Sequence, residues 1–205
     1  NIESKAYFVI SATNNVYMCL KAGSGASTTN PDDTGVQTSG VINHSGSDGY
    51  IWKYMYTVPT ADVTKFLTTS FIPVRHIKEA PAGGADSALT NQWAVQGNAV
   101  DGAIYNMKIT NAGTGYTSAP TITISGNGSS AAATATVSGG AITGITMTNV
   151  GSGYTHATVT VTGGSGSNGA IRPVIGPIGG FGADPTNDLR AHYVTINTVF
   201  TGDES

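Results

Sequence analysis

Apolar and polar residues alternate along much of this chain, and the alternation marks strands. Ala6-Tyr7-Phe8-Val9-Ile10 and Val16-Tyr17-Met18-Cys19-Leu20 are apolar runs on either side of Thr13-Asn14-Asn15. That arrangement predicts a β-hairpin with asparagine at the positive φ of the turn. Residues 22–47 are rich in Gly, Ser, Thr, Asn and Asp and predict a long exposed loop. After the turn signal Asp48-Gly49, a period of two puts Tyr50, Trp52, Tyr54 and Tyr56 on one strand face, with Ile51 and Met55 on the other. Pro59 ends that strand. Thr60 is placed to cap a short helix carrying Val63, Phe66 and Leu67. Phe71-Ile72-Pro73-Val74 reads as a short edge strand and residues 81–91 as a loop. Alternation returns at the end of the chain, from Ala191 to Phe200.

The middle of the chain repeats itself. Ala103-Ile104 through Gly113-Thr114-Gly115-Tyr116-Thr117 matches Ala141-Ile142 through Gly151-Ser152-Gly153-Tyr154-Thr155, at an offset of about 38 residues. An alternating strand comes after each Gly-x-Gly-Tyr-Thr. Ile122 and Ile124 share a face in the first copy, Val159 and Val161 in the second. Ala133, Ala135 and Val137 form a further strand face, and Gly139-Gly140 turns the chain into Ile142, Ile145 and Met147. Residues 103–176 are therefore expected to be two copies of a small antiparallel β-unit. Tyr116 and Tyr154 would each lay a ring over the following sheet. One copy has too little core to stand alone, so the two should pack together. Gly97-Asn98 and the glycines from 176 onward bracket this lobe as expected hinges. The fold class is thus mainly β, antiparallel sheets or a sandwich with one short helix. Residues 1–102 with 177–205 make one β domain, and 103–176 an inserted tandem-repeat lobe.

Composition narrows the function. The 205 residues carry a net charge of −3, with no basic stripe of the kind that phosphate neutralisation needs, so no nucleic-acid partner is expected. Charged residues make up 10% of the chain against about 25% in ordinary soluble domains. Sparse charge lowers the cost of covering a surface. It suits a subunit buried among partners and equally a secreted β-protein. No run of 18 apolar residues exists, so no membrane partner is expected. The single cysteine, Cys19, sits in an apolar run and reads as a buried thiol.

Catalytic chemistry finds little footing. His44, His76, His156 and His192 lack metal spacing with each other or with Cys19. Gly113-x-Gly115 precedes a strand where a dinucleotide fingerprint needs a helix, and there is no P-loop or nucleophile elbow. Asp32-Asp33 and Asp184/Asp188 fall in loops that could offer oxygens to calcium, yet they lack the fixed spacing of a calcium loop. No cofactor, metal or catalytic residue is expected. The strand Tyr50, Trp52, Tyr54, Tyr56 has binding potential, because exposed aromatics stack on sugars or anchor interfaces. The competing reading is that these rings are core.

Two stretches carry a family resemblance. Val16-Tyr17-Met18-Cys19-Leu20, a variable loop, then Asp48-Gly49-Tyr50-Ile51-Trp52-Lys53-Tyr54 resembles the central motif of the dimeric baseplate wedge subunit of T-even-type contractile-tailed bacteriophages. Gly179-Gly180-Phe181-Gly182-Ala183-Asp184-Pro185 and the strand through Tyr193-Val194 resemble that family's Gly-rich segment and returning strand. Members of the family are longer, so the chain reads as an internal piece. The resemblance implies a structural role without catalysis. It implies a homodimer in contact with other wedge proteins, located in the virion tail baseplate after assembly in the host cytoplasm. Cys19, Tyr50, Trp52, Tyr54, Tyr56, Tyr116 and Tyr154 are then interface or structural-motif candidates. A carbohydrate- or receptor-binding β module is the alternative.

Overall fold

A computed structural model describes residues 7–23, 25–43 and 48–192. It is mainly β, with antiparallel pairing throughout. The first hairpin joins β1 (Phe8–Ile10) to β2 (Asn15–Lys21), with Asn14 in the turn at φ 62°. A 3-10 turn over Pro31–Thr34 and a two-residue strand β3 (Ile42–Asn43) interrupt the expected loop. With β4 (Ile51–Thr57) the strands complete a four-stranded sheet in the order β1-β2-β4-β3.

The period of two in β4 breaks once. Val16 pairs with Tyr56, yet Tyr17 pairs with Tyr54, so Met55 is an extra residue. Such a bulge turns the next side chain along the strand to the other face. Tyr50, Trp52 and Tyr54 cluster with Tyr17, Cys19 and Val95. Tyr56 instead joins Val16, Met18 and Met55. The expectation of four aromatics on one face therefore holds for three.

The helices also depart from expectation. In α1 (Thr60–Phe66) Pro59 occupies the capping position, and Thr60 is the first helical residue rather than the cap. Residues 87–91, expected as loop, begin the longer helix α2 (Ser87–Gly97), whose cap is Asp86 accepting from Ala88 N at 3.0 Å. Phe71–Val74 is not a strand. The segment after it runs beside α2, held by side chains in place of a neighbouring backbone. Gln92 Nε2 donates to Arg75 O at 2.6 Å. Gln96 accepts from Ile77 N at 3.1 Å and donates to Ile77 O at 2.8 Å.

Six strands make up the repeats: β5 (Ile104–Thr114), β6 (Thr121–Gly126), β7 (Ala132–Ser138), β8 (Ala141–Asn149), β9 (Ala157–Thr162) and β10 (Ser167–Ile175). The ladders are β5–β10, β6–β9 and β7–β8. Each ladder joins a strand of the first copy to a strand of the second. The copies are interleaved, which corrects the expectation of two antiparallel units packed together. β5 also lies against β8, β9 against β10, and β6 against β7, so the six strands close around one core of Ile104, Met107, Ile142, Ile145, Ile171 and the two tyrosines.

Those tyrosines explain the interleaving. A Cβ at Gly166 would lie 2.3 Å from Tyr116 Cγ, and one at Gly128 would lie 2.4 Å from Tyr154 Cγ. Each ring thus needs a bare backbone in the opposite copy. Tyr116 N donates to Gly140 O at 3.0 Å and Tyr154 N to Gly102 O at 3.3 Å, the same bond made twice. The chain then returns to the first sheet through residues 176–184 and the short helix α3 (Pro185–Asp188), which Asp184 caps. Two of the glycines here make close backbone approaches. A Cβ at Gly180 would meet Val100 O at 2.4 Å, and one at Gly182 would meet Val95 Cγ1 at 2.8 Å and Lys53 Cε at 2.9 Å. The strand expected from Ala191 to Phe200 lies, from residue 193 on, outside the described residues.

Candidate functional site

The motif residues of β2 and β4 do come together, but inward. Tyr17, Cys19, Trp52 and Tyr54 are all but fully buried, and Tyr50 is 9% exposed. Tyr50 stacks on Trp52 with ring centroids 5.5 Å apart and planes 7° apart. Tyr17 meets Tyr54 edge-on at 5.8 Å. The hydroxyls are committed as well. Tyr50 donates to Gly25 O at 2.6 Å, Tyr56 to Pro73 O at 2.9 Å, and the Tyr54 hydroxyl is hydrogen-bonded to Thr57 Oγ1 at 2.7 Å. Burial pushes the Tyr54 and Tyr56 hydroxyls above the ordinary phenol range. Trp52 Nε1 is buried with no hydrogen-bond partner among the described residues. The strand therefore presents no stacking platform, and its rings act as core.

Cys19 is 1% exposed and its thiol donates to Lys21 O at 3.2 Å. Burial pushes its pKa up to about 11, which leaves almost no thiolate at neutral pH. The buried-thiol reading fits this geometry.

The loop carboxylates fasten backbone. Asp48 Oδ2 accepts from Ser27 Oγ, Thr28 N, Thr29 N and Thr29 Oγ1, and Oδ1 accepts from Tyr50 N at 3.0 Å. These bonds, that of the Thr29 hydroxyl foremost, hold Asp48 well below the usual carboxylate range. The aspartate of the Asp-Gly-Tyr motif thus pins the preceding loop. Asp32 does the same for the hairpin, accepting from Thr13 Oγ1 at 2.6 Å, Asn15 Nδ2 at 3.0 Å and Tyr17 OH at 2.5 Å. Burial opposes its charge, and the bonds from Thr13, Tyr17, Ser11 and Asn15 together outweigh that and keep its pKa low. Asp184 spends its oxygens on α3 and lies 3.7 Å from His76 Nδ1. Among the described residues no group of three or more His, Cys, Asp or Glu side chains is arranged to hold a metal ion.

Asp188 is different. It accepts from Gly182 N at 2.6 Å, and burial raises its pKa to about 6. Near it lies Lys53, 1% exposed, with Nζ 3.4 Å from Gly40 O and 6.0 Å from the Tyr105 ring centroid. Burial pulls the Lys53 pKa down and the Asp188 charge opposes that. No sequence pattern marked this pair, because its members are 135 positions apart (188 against 53) and only the return of the chain brings them together.

A cleft of about 670 Å³ opens beside Asp188, between the first sheet and the repeats. Its walls are residues 18–22 of β2 and just beyond, residues 105–108 of β5, Val174 and Ile175 of β10, and the returning segment with Phe181 and Arg190. Sequence reasoning missed it, since the walls, Tyr7 among them, come from stretches far apart in the chain. Tyr116 and Tyr154, by contrast, are core of the repeats and line no surface. Family models, curated proteins and solved structures contain no match to this chain.

Proposed function

We propose that the protein is a structural subunit of a contractile phage-tail baseplate wedge, acting in baseplate assembly and in coupling host recognition to sheath contraction. In this reading it works as a homodimer among other wedge proteins in the virion and turns over no substrate. The observation that carries the proposal, beside the two sequence motifs, is the surface of the repeats. Residues 109–171 contain no Asp, Glu, Lys or Arg. The outward positions of β6 and β9 are Thr121, Thr123, Ser125, Thr158, Thr160 and Thr162, facing each other across the ladder. Such a face can be covered by a neighbour without stripping water from any charge. Exposed Phe71 and Ile178, 72% and 93% accessible, add apolar contact points outside the repeats. The glycan-binding alternative loses one of its two motives, because the aromatic strand is internal, and keeps the other, the repeats.

The test is the mass of the intact chain in solution, by light scattering at two concentrations, alone and with the neighbouring wedge proteins of its own phage. A dimer that recruits those proteins is expected. A monomer indifferent to them at both concentrations would overturn the proposal.

A further inference from the structure

The two copies of the repeat are joined along the chain at one point, the turn Gly139-Gly140 between β7 and β8. All three ladders of the repeats cross that point. β5, β6 and β7 come before it, and each pairs with a strand that comes after it. Bonds outside the ladders cross it too. Thr117 N donates to Gly164 O at 2.9 Å, Gly153 N to Asp101 O at 2.8 Å, and Asn127 Oδ1 accepts from Thr155 N and His156 N. The buried core is drawn equally from the two sides. Among the described residues no ladder lies wholly after the turn. The chain from Ala141 onward therefore has no sheet of its own. It completes its ladders only on a first half, and nothing in those bonds requires that half to belong to the same chain.

The turn suits a hinge. Ser138 pairs with Ala141, which leaves the two glycines in the bend at φ 60° and 77°. Positive φ at both central residues gives the tight hairpin turn that matches the twist of its strands, and glycine adopts it without steric strain. The bend is roomy. A Cβ at Gly139 would meet nothing within 4 Å, and one at Gly140 would come no nearer than 3.6 Å to the backbone of Gly115. Extended instead of bent, β7, the glycines and β8 would run on as one strand. Two such strands from two chains can pair antiparallel about a two-fold axis in the register already present, Ser138 on the partner's Ala141. The ladders would be the same in both forms. The balance between them then rests on the bend and on chain concentration.

We propose that two chains of this protein exchange the part that follows Gly140, each completing the repeats and the returning segment of the other. The partner is a second copy, and the interface is the one already present inside a single chain. The inference rests on the topology of the repeats and holds whether or not the protein is a wedge subunit. Exchange happens while the chains fold, because opening a finished body would break three ladders at once, and repeat proteins are prone to it.

The test uses the full chain, unfolded in urea and refolded under reductant at about 1 μM and at about 200 μM, so that folding chains meet rarely or often. Light scattering should find monomer after dilute refolding, and after concentrated refolding a dimer that survives dilution. Chains carrying Thr123→Cys and chains carrying Thr160→Cys, refolded together and then oxidised, identify the exchange. Thr123 and Thr160 are exposed and directly opposite in the β6–β9 ladder, within disulfide reach, and Cys19 is buried. Exchange links each kind of chain to the other kind and neither kind to itself. A dimer held by its outer faces would link like chains as well, and that result overturns the proposal. Gly139→Val with Gly140→Val strains the bend and should raise the dimer share after dilute refolding about tenfold or more. An unchanged share in the folded variant overturns the proposal, as does wild type that refolds as monomer at both concentrations. The cross-link, made in chains with the natural turn, decides the matter even where the hinge variant fails to fold.

Discussion

Tyr116→Ala tests whether the two repeats are one folding unit. The ring is 5% exposed and lies in van der Waals contact with the backbone of Gly164 and Gly166, and its hydroxyl reaches towards Gly169. All three glycines belong to the second copy. Removing a buried aromatic ring costs about 3–5 kcal/mol, because the cavity left behind collapses only in part. Collapse is hard here, since glycines have no side chains to move into the gap. The whole cost of about 3–5 kcal/mol should therefore appear in urea unfolding. The distinctive outcome lies in amide exchange followed by mass spectrometry. All three ladders run between copies, so weakening one contact across the boundary should speed exchange in all six strands together. Tyr154→Ala, the symmetric change, should match it within about 1 kcal/mol. The reasoning is wrong if Tyr116→Ala speeds exchange in residues 103–140 alone, or if its cost is below about 1 kcal/mol.

Other expectations rest on single contacts. Asp188, with its pKa raised to about 6, favours the fold when protonated. Its contribution is full below the ordinary carboxylate value of about 3.9 and is lost as pH rises through 6; allowing for partial exposure, that is about 1–2 kcal/mol. Asp32, Asp48 and Asp184, all held low, act oppositely and withdraw stability as pH falls below about 4. Melting temperature should thus peak near pH 4–5, and Asp188→Asn should flatten the decline above it; a curve that rises steadily to pH 7 would contradict this. Cys19 should resist a thiol reagent at pH 8 until the protein is unfolded, and rapid labelling of the native state would refute its burial. Gln96→Ala should cost about 1–3 kcal/mol and expose the Ile77 amide to exchange, since both backbone groups of Ile77 lose their partner; an unchanged Ile77 exchange rate would refute that anchor.

The features legible in the sequence were those whose cause is local. The first hairpin comes from two apolar runs and an asparagine at positive φ, and β4 from its alternation. The features that escaped depend on distant partners. The bulge at Met55 exists because β2 and β4 slip by one residue, and neither strand shows that by itself. α2 carries too few apolar residues for a helical stripe. It buries Gln92 and uses it on Arg75 O, so a polar residue occupies a core position. The one available signal was Asp86 ahead of the helix, an N-cap type at an N-cap position. The repeats were visible as repeats, but a period of two is indifferent to which strand lies alongside. The pairing is fixed by the fit of each tyrosine to glycines about 50 or 26 positions away, Gly166 for Tyr116 and Gly128 for Tyr154.

That fit bears on why the repeats, without Asp, Glu, Lys or Arg from residue 109 to 171, stay a single closed body. A face of threonines and small residues is easily covered, and for the same reason open edges beside it would pair with other chains. Interleaving answers this within the fold. Because every strand of one copy finds its ladder partner in the other, neither copy can release a strand without breaking a ladder. Both tyrosines sit in the one core that the two copies share, and the polar face of β6 and β9 stays exposed.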